Sequence, residues 1–121
     1  MVFGTKEEQD LYVSQIIKNL ICDQTAFNID KREEFHSWHE VFGYIHEEIK
    51  ELYAEIEQLK SDYEEYESLM MMDAETQHMV RALSDFVETS SNIMQEACHV
   101  GAVALKGIEQ LKEKGTCYRP R

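Results

Sequence analysis

The sequence predicts an all-α protein: four helices, bundle-like, completed by homo-oligomerisation. Three observations carry that expectation. Apolar residues recur at steps of three and four along most of the 121 residues, and only five Gly and one Pro interrupt them. So little turn chemistry argues against a sandwich, barrel or many-stranded sheet. Two capping signatures, Thr5 with Glu8 and Ser37 with Glu40, mark helix starts. From Trp38 onward, Phe42, Ile45, Ile49, Leu52, Ile56, Leu59, Tyr63, Tyr66 and Met70 alternate steps of four and three, a heptad-like seam. Unbroken, that seam runs about 50 Å at 1.5 Å per residue. A chain this short buries only about two-thirds of its unfolded surface, so the helix either breaks near Ser61–Asp62 or pairs with another copy.

The elements follow in order. A first helix covers about residues 6–22, with Tyr12, Val13, Ile16, Ile17, Leu20 and Ile21 at helical spacing. Asp23 to Phe35 is polar and aperiodic, hence a loop, with Phe27 and Ile29 able to tuck it onto the core. The second helix spans about 37–70, with Ser37 as N-cap. Asp73 caps a third, whose apolar face is Met79, Val80, Leu83, Phe86 and Val87. The polar run Thr89-Ser-Ser-Asn92 ends it and starts a fourth, about 91–114, carrying Ile93, Ala97, Val100, Ala104, Ile108 and Leu111. Lys112, Lys114 and Gly115 suit its C-terminus. Small residues at Ala97, Gly101, Ala102 and Ala104 allow a close helix neighbour. The whole reads as one domain, residues 1–121.

Charge narrows the partners. Twelve Lys and Arg stand against 24 Asp and Glu, a formal net charge of -12, which disfavours a nucleic-acid partner. No segment approaches 18 apolar residues, so no membrane span is expected. The acidic N-terminus lacks the pattern of a signal peptide. Cys22, Cys98 and Cys117 are three, widely spaced and without a CxxC, which fits a reducing cytoplasmic setting rather than a disulfide framework or structural zinc.

Three constellations carry potential chemistry. In His46-Glu47-Glu48-Ile49-Lys50-Glu51 and on to Glu55, Glu48 and Glu51 are i and i+3 on one helix face bordering the seam. Crowded carboxylates repel, and a shared hard cation relieves them; the plainer alternative is a solvated acidic face. Glu96 and His99 repeat the i, i+3 spacing on the last helix. Two such pairs on facing helices would make a four-ligand cluster, whereas His99 alone reads as a hydrogen-bonded interface histidine. Phe35-His36-Ser37-Trp38-His39 sets the only Trp beside a helix N-terminus, able to stack a base and present donors to an anion, or simply to anchor the core. Glu33/His36, Glu75/His78 and Glu96/His99 also share the Glu-x-x-His spacing of di-iron carboxylate bundles. Met70-Met71-Met72 reads as gap filler. Lys31, Lys106, Lys112, Lys114, Arg119 and Arg121 are basic residues able to reach a phosphate, or surface charges.

Glu47-Glu48-Ile49-Lys50-Glu51 followed by Glu96-Ala97-Cys98-His99 and the run Gly-Ala-Val-Ala-Leu resembles the MazG-like all-α nucleoside triphosphate pyrophosphatases. That family carries Glu-Glu-x-x-Glu on one helix and Glu-x-x-Asp on a later one. The likeness covers roughly residues 35–59 and 93–111. His99 stands where the family has Asp, and the segment between the motifs, about residues 60–90, is longer than the family's usual one and does not match it. The resemblance implies hydrolysis of a nucleotide substrate, a (d)NTP or relative, to monophosphate and pyrophosphate. It implies Mg2+ held by Glu48, Glu51, Glu96 and His99, with Mn2+ or another transition metal as the alternative that imidazole favours. Glu47 or Glu55 would accept the proton of the attacking water, Phe35, His36 and Trp38 would face the base or sugar, and subunits would pair as a dimer or tetramer. Because His99 replaces an anionic ligand, a member that binds nucleotide without hydrolysis is the second expectation. A di-iron carboxylate bundle, from the Glu-x-x-His pairs, is the third, and a structural coiled-coil dimer the fourth.

Overall fold

The computed structural model describes residues 4–31 and 34–112; for residues 27–31 only the backbone is described. Among them the chain is all-helical: α1 (Lys6–Lys31), α2 (Trp38–Met71) and α3 (Thr76–Leu111). No helix of the described residues is long and apolar enough to cross a membrane. The chain divides into two compact units, residues 1–45 with 98–121, and residues 46–97. The expectations for Glu33, Lys114, Gly115, Cys117, Arg119 and Arg121, and for the side chains of Phe27, Ile29 and Lys31, lie outside the described residues.

Among the described residues, three helices stand where four were expected. The run Thr89–Asn92 does not end a helix, because it contains neither Gly nor Pro and its first hydroxyl has a tertiary partner. Thr89 Oγ1 donates to Asp62 Oδ2 at 2.5 Å, so the group that would cap a new helix is already engaged. α1 likewise runs past residue 22. Thr25 Oγ1 donates back to the Ile21 carbonyl at 2.7 Å and lies 3.5 Å from the Ala102 carbonyl, which anchors the stretch read as a loop. α2 does not break at Ser61–Asp62. Both capping residues act as the spacing requires: the N–H of Glu8 donates to Thr5 Oγ1 at 3.1 Å, and that of Glu40 to Ser37 Oγ at 3.2 Å.

In the unit of residues 1–45 and 98–121, the core is Phe35, Val41, Val103 and Leu111, with Trp38 and Ile45 packed against it. Small residues set the helix spacing. A Cβ on Gly101 would fall 2.9 Å from Ile21 Cδ1, and one on Gly107 would fall 2.9 Å from Val41 Cγ1. Phe35 is pinned by its N–H, which donates to Gln110 Oε1 at 2.8 Å, and its ring centre lies 5.3 Å from that of Tyr44. Lys106, a candidate surface cation from sequence, is instead only 2% exposed, with Nζ 4.4 Å from the Phe35 ring centre. Its charge is placed against the negative face of the ring.

The unit of residues 46–97 is a helical hairpin. Asp73 does not cap α3. It closes α2 in the left-handed region, φ 51°. The Ala74 N–H donates to the Leu69 carbonyl at 3.0 Å and the Asp73 N–H to the Met70 carbonyl at 3.2 Å, the paired bonds of a Schellman motif. The short turn returns α3 antiparallel to α2. The edge-on rings of Tyr66 and Phe86, 5.8 Å apart, and the Asp62–Thr89 bond fix the register.

The seam of α2 differs from expectation in one flank. The line Trp38, Ile45, Leu52, Leu59 and Tyr66 is sheltered, as the heptad requires. The companion line is not Phe42, Ile49, Ile56, Tyr63 and Met70, of which only Ile49 is sheltered. It is Val41, Glu48, Glu55, Asp62 and Leu69, one residue earlier and all buried or half-buried. That flank is therefore displaced about 100° about the helix axis, so that the packed face, which keeps the first line, turns about 50°; on that flank carboxylates are taken inside while apolar side chains stay outside.

Candidate metal centre

The rotation of the seam places Glu48 on the packed face itself rather than at its border. Glu51 follows one turn later and is exposed. On α3, Glu96 occupies the packed face and His99 follows one turn on; both are half-buried. Helical spacing aligns each pair, and the antiparallel return of α3 sets the pairs opposite each other. One ligand atom from each of Glu48, Glu51, Glu96 and His99 lies within 4.8 Å of all the others. Glu48 Oε2 and Glu96 Oε2 are shielded from solvent.

Three carboxylates and one imidazole at this separation fit a divalent cation. Carboxylate oxygens satisfy hard ions such as Mg2+ and Mn2+, and the imidazole shifts preference toward Mn2+ and later transition metals. Among the described residues this is the one group of three or more His, Cys, Asp or Glu side chains close enough to hold an ion. Of the two Glu-x-x-His pairs that lie wholly among the described residues, Glu96/His99 enters it and Glu75/His78 does not. Glu75 and His78 are exposed at the start of α3, where Glu75 Oε2 accepts from Gln77 Nε2 at 3.3 Å. A di-iron site needs a second such pair facing the first, and the described residues bring none there.

The other residues singled out in the sequence lie outside the cluster. Glu55 is half-buried on the packed face, one turn beyond Glu51, and Glu47 is exposed. Phe35 is 3% exposed within the first unit's core and Trp38 packs on that core. His36 is exposed, its Nδ1 3.7 Å from Glu40 Oε2. Cys22 is exposed and Cys98 half-buried, both free thiols.

Sequence reading missed a buried polar set farther along the hairpin. Asp62 is 5% exposed, and both its oxygens are engaged, Oδ2 by Thr89 and Oδ1 by Gln58 Nε2 at 2.9 Å. The available signal was the seven-residue interval Glu48, Glu55, Asp62, a carboxylate line in phase with the seam. Comparison with family models, curated proteins and solved structures returns no match.

Proposed function

We propose that this chain is a MazG-like nucleotide pyrophosphohydrolase that uses a divalent cation at Glu48, Glu51, Glu96 and His99. The observation that carries the reading is the convergence of those four ligand atoms within 4.8 Å, together with the order of the two motifs along the chain. A bound divalent cation supplies positive charge for phosphate oxygens and lowers the pKa of water. Without it, a chain of net charge -12 repels a triphosphate. The four side chains orient and neutralise. Glu55, sheltered beside the cluster, and Glu47, exposed before it, are the two candidates to accept a proton from water attacking between the α and β phosphates. His36 and Trp38 are the candidates to face base or sugar.

A second reading rests on His99. Where the family's Asp would add a negative ligand, a neutral imidazole leaves the site one charge short, and a protein that binds nucleotide without cleaving it results. One experiment separates the two. Pyrophosphate release is measured over a panel of nucleoside triphosphates with Mg2+ or Mn2+, beside Mn2+ binding by calorimetry. The hydrolase reading expects turnover, lost in Glu48→Gln with Glu51→Gln, and Mn2+ binding weakened by at least about tenfold. Binding without turnover, with turnover gained in His99→Asp, selects the second reading. No turnover and no Mn2+ binding removes both.

A further inference from the structure

The hairpin of residues 46–97 combines an unused apolar side with nearly all of the chain's charge. On α2, Ile56, Tyr63 and Met70 recur every seven residues, and on α3 Val80, Val87 and Met94 do the same; all are exposed, as are Tyr53 and Leu83 beside them. Each follows a packed residue by one position, about 100° around its helix. In an antiparallel pair, equal rotations bring both lines to the same side. Met70, Met71 and Met72, which the sequence suggested as gap filler, are instead more than half exposed at the end of α2. The charge is as uneven. Residues 46–97 hold 14 of the 24 Asp and Glu but three of the 12 Lys and Arg, so the hairpin carries 11 of the chain's 12 net negative charges. Exposed Glu57, Glu64 and Glu67 border the apolar side, with Asp73 and Glu75 at the turn. Lys50 and Lys60 are the cations there, because Arg81 precedes the buried Ala82 and faces the other way.

We propose that this side docks a basic amphipathic helix of another protein, laid along the line where α2 and α3 meet. The eight apolar residues expose on the order of 800 Å2, more than the few hundred Å2 a monomer ordinarily leaves open and about one partner's share of a standard interface. Charge names the occupant. Nucleic acid and an anionic membrane surface carry the same sign as the hairpin and are repelled. A second copy would bring another 11 net negative charges to the same place. A helix with Lys and Arg flanking an apolar stripe reverses the sign at the border and fills the apolar centre, which is the helix-in-groove mode of recognition. The methionines suit it, because an unbranched thioether side chain adapts to varied apolar surfaces. Ile56 to Met70 spans about 21 Å, so a partner helix of about 18 residues covers the side. Glu51 falls in the opposite phase, one residue before the packed Leu52. Docking therefore does not depend on the metal reading.

The test is fluorescence anisotropy of a labelled peptide of about 18 residues, built of Leu and Lys with Leu at helical spacing, titrated with the full chain. The control peptide has the same composition with Leu shuffled off that spacing. The amphipathic peptide is expected to bind one per chain, at least about tenfold more tightly than the shuffled one, and more weakly as salt rises. Tyr63→Ser with Val87→Ser leaves the charge unchanged and should weaken binding about tenfold or more. Glu67→Lys and Glu65→Lys change the charge equally, two residues apart on opposite sides of α2. The first should weaken binding about tenfold at low salt and the second by no more than about a third as much. Both positions are exposed, so this comparison stays informative even if the Ser pair lowers helicity. No binding, equal binding of the shuffled peptide, indifference to the Ser pair, or equal effects of the two Lys variants overturns the proposal. So does sedimentation showing a dimer that the Ser pair dissociates, because a second copy then covers this side.

Discussion

The two units of this chain are built on opposite terms. In the first, Phe35, Val41, Val103 and Leu111 form an apolar cluster within which a single added methyl at Gly107 would collide. In the second, the buried apolar residue is Ala82, and the other buried side chains are Asp62 and Thr89. Its larger apolar side chains are at most half-buried, as at Leu52, Leu59, Tyr66 and Phe86, or face outward, as at Ile56, Tyr63, Val80 and Val87. Each unit is therefore specified by a different force. Apolar packing supplies most of the first unit's stability. A buried hydrogen-bonded set fixes the second unit's register, because a shift of α3 along α2 would leave the Asp62 carboxylate buried without its hydroxyl donor.

The heaviest loss is expected on the apolar side. Phe35→Ala removes a ring that is 3% exposed and lies under Lys106, and should cost about 3–5 kcal/mol. Trp38 is the only Trp and packs on the same cluster, so its fluorescence reads the urea transition of that unit alone. Leu59→Ala, at a half-buried position of the hairpin, should cost less than half as much. Equal losses would remove the distinction between a packed and a thinly packed unit.

A more modest loss tests the polar interior. Thr89→Val keeps the shape but deletes the donor to Asp62 Oδ2, and should cost about 1–3 kcal/mol. Thr89→Ser retains the hydroxyl and should recover most of that. Asp62→Leu combined with Thr89→Val removes both partners, and its cost should fall below the sum of the single changes. Additive losses in urea unfolding followed by circular dichroism would mean that the bond does not hold the register.

The same contrast explains what was legible in the sequence. The line Trp38, Ile45, Leu52, Leu59 and Tyr66 could be read because apolar phase and burial coincide there. The flank could not. Phe42, Ile56, Tyr63 and Met70 are more apolar than Val41, Glu48, Glu55 and Asp62, yet the latter line is the packed one. Which of two adjacent lines a helix buries is decided by its partner, and α3 offers Thr89 to Asp62. The spacings Glu48/Glu51 and Glu96/His99 were readable because helix geometry fixes i, i+3 neighbours. Their convergence depends on the return of α3, which rests on backbone bonds at Leu69, Met70, Asp73 and Ala74 that no side-chain pattern announces. The helix through residues 89–92 was unreadable for the same reason: four residues that favour caps remain helical when the first has a tertiary partner.

Two glycines of the packed unit offer the finest test, because their substitutions should differ in sign. Gly43 on α2 has nothing within 4 Å of where a Cβ would stand, while Gly107 on α3 has Val41 Cγ1 at 2.9 Å and Cγ2 at 3.0 Å. Both lie in helix interiors, where Gly→Ala gains roughly 0.8–1 kcal/mol from backbone entropy and propensity. At Gly43 that gain should appear in full. At Gly107 it is opposed by a β-branched side chain whose χ1 is held in one well, so Val41 cannot turn aside and α2 and α3 must separate. Overpacking of this kind costs about 1–3 kcal/mol, and Gly107→Ala should be net destabilising. The two substitutions are chemically identical, so the sign difference in the Trp38 fluorescence transition isolates the closeness of the helices. Stabilisation by both would mean that α2 and α3 yield readily there, and the first unit would lose its claim to tight packing.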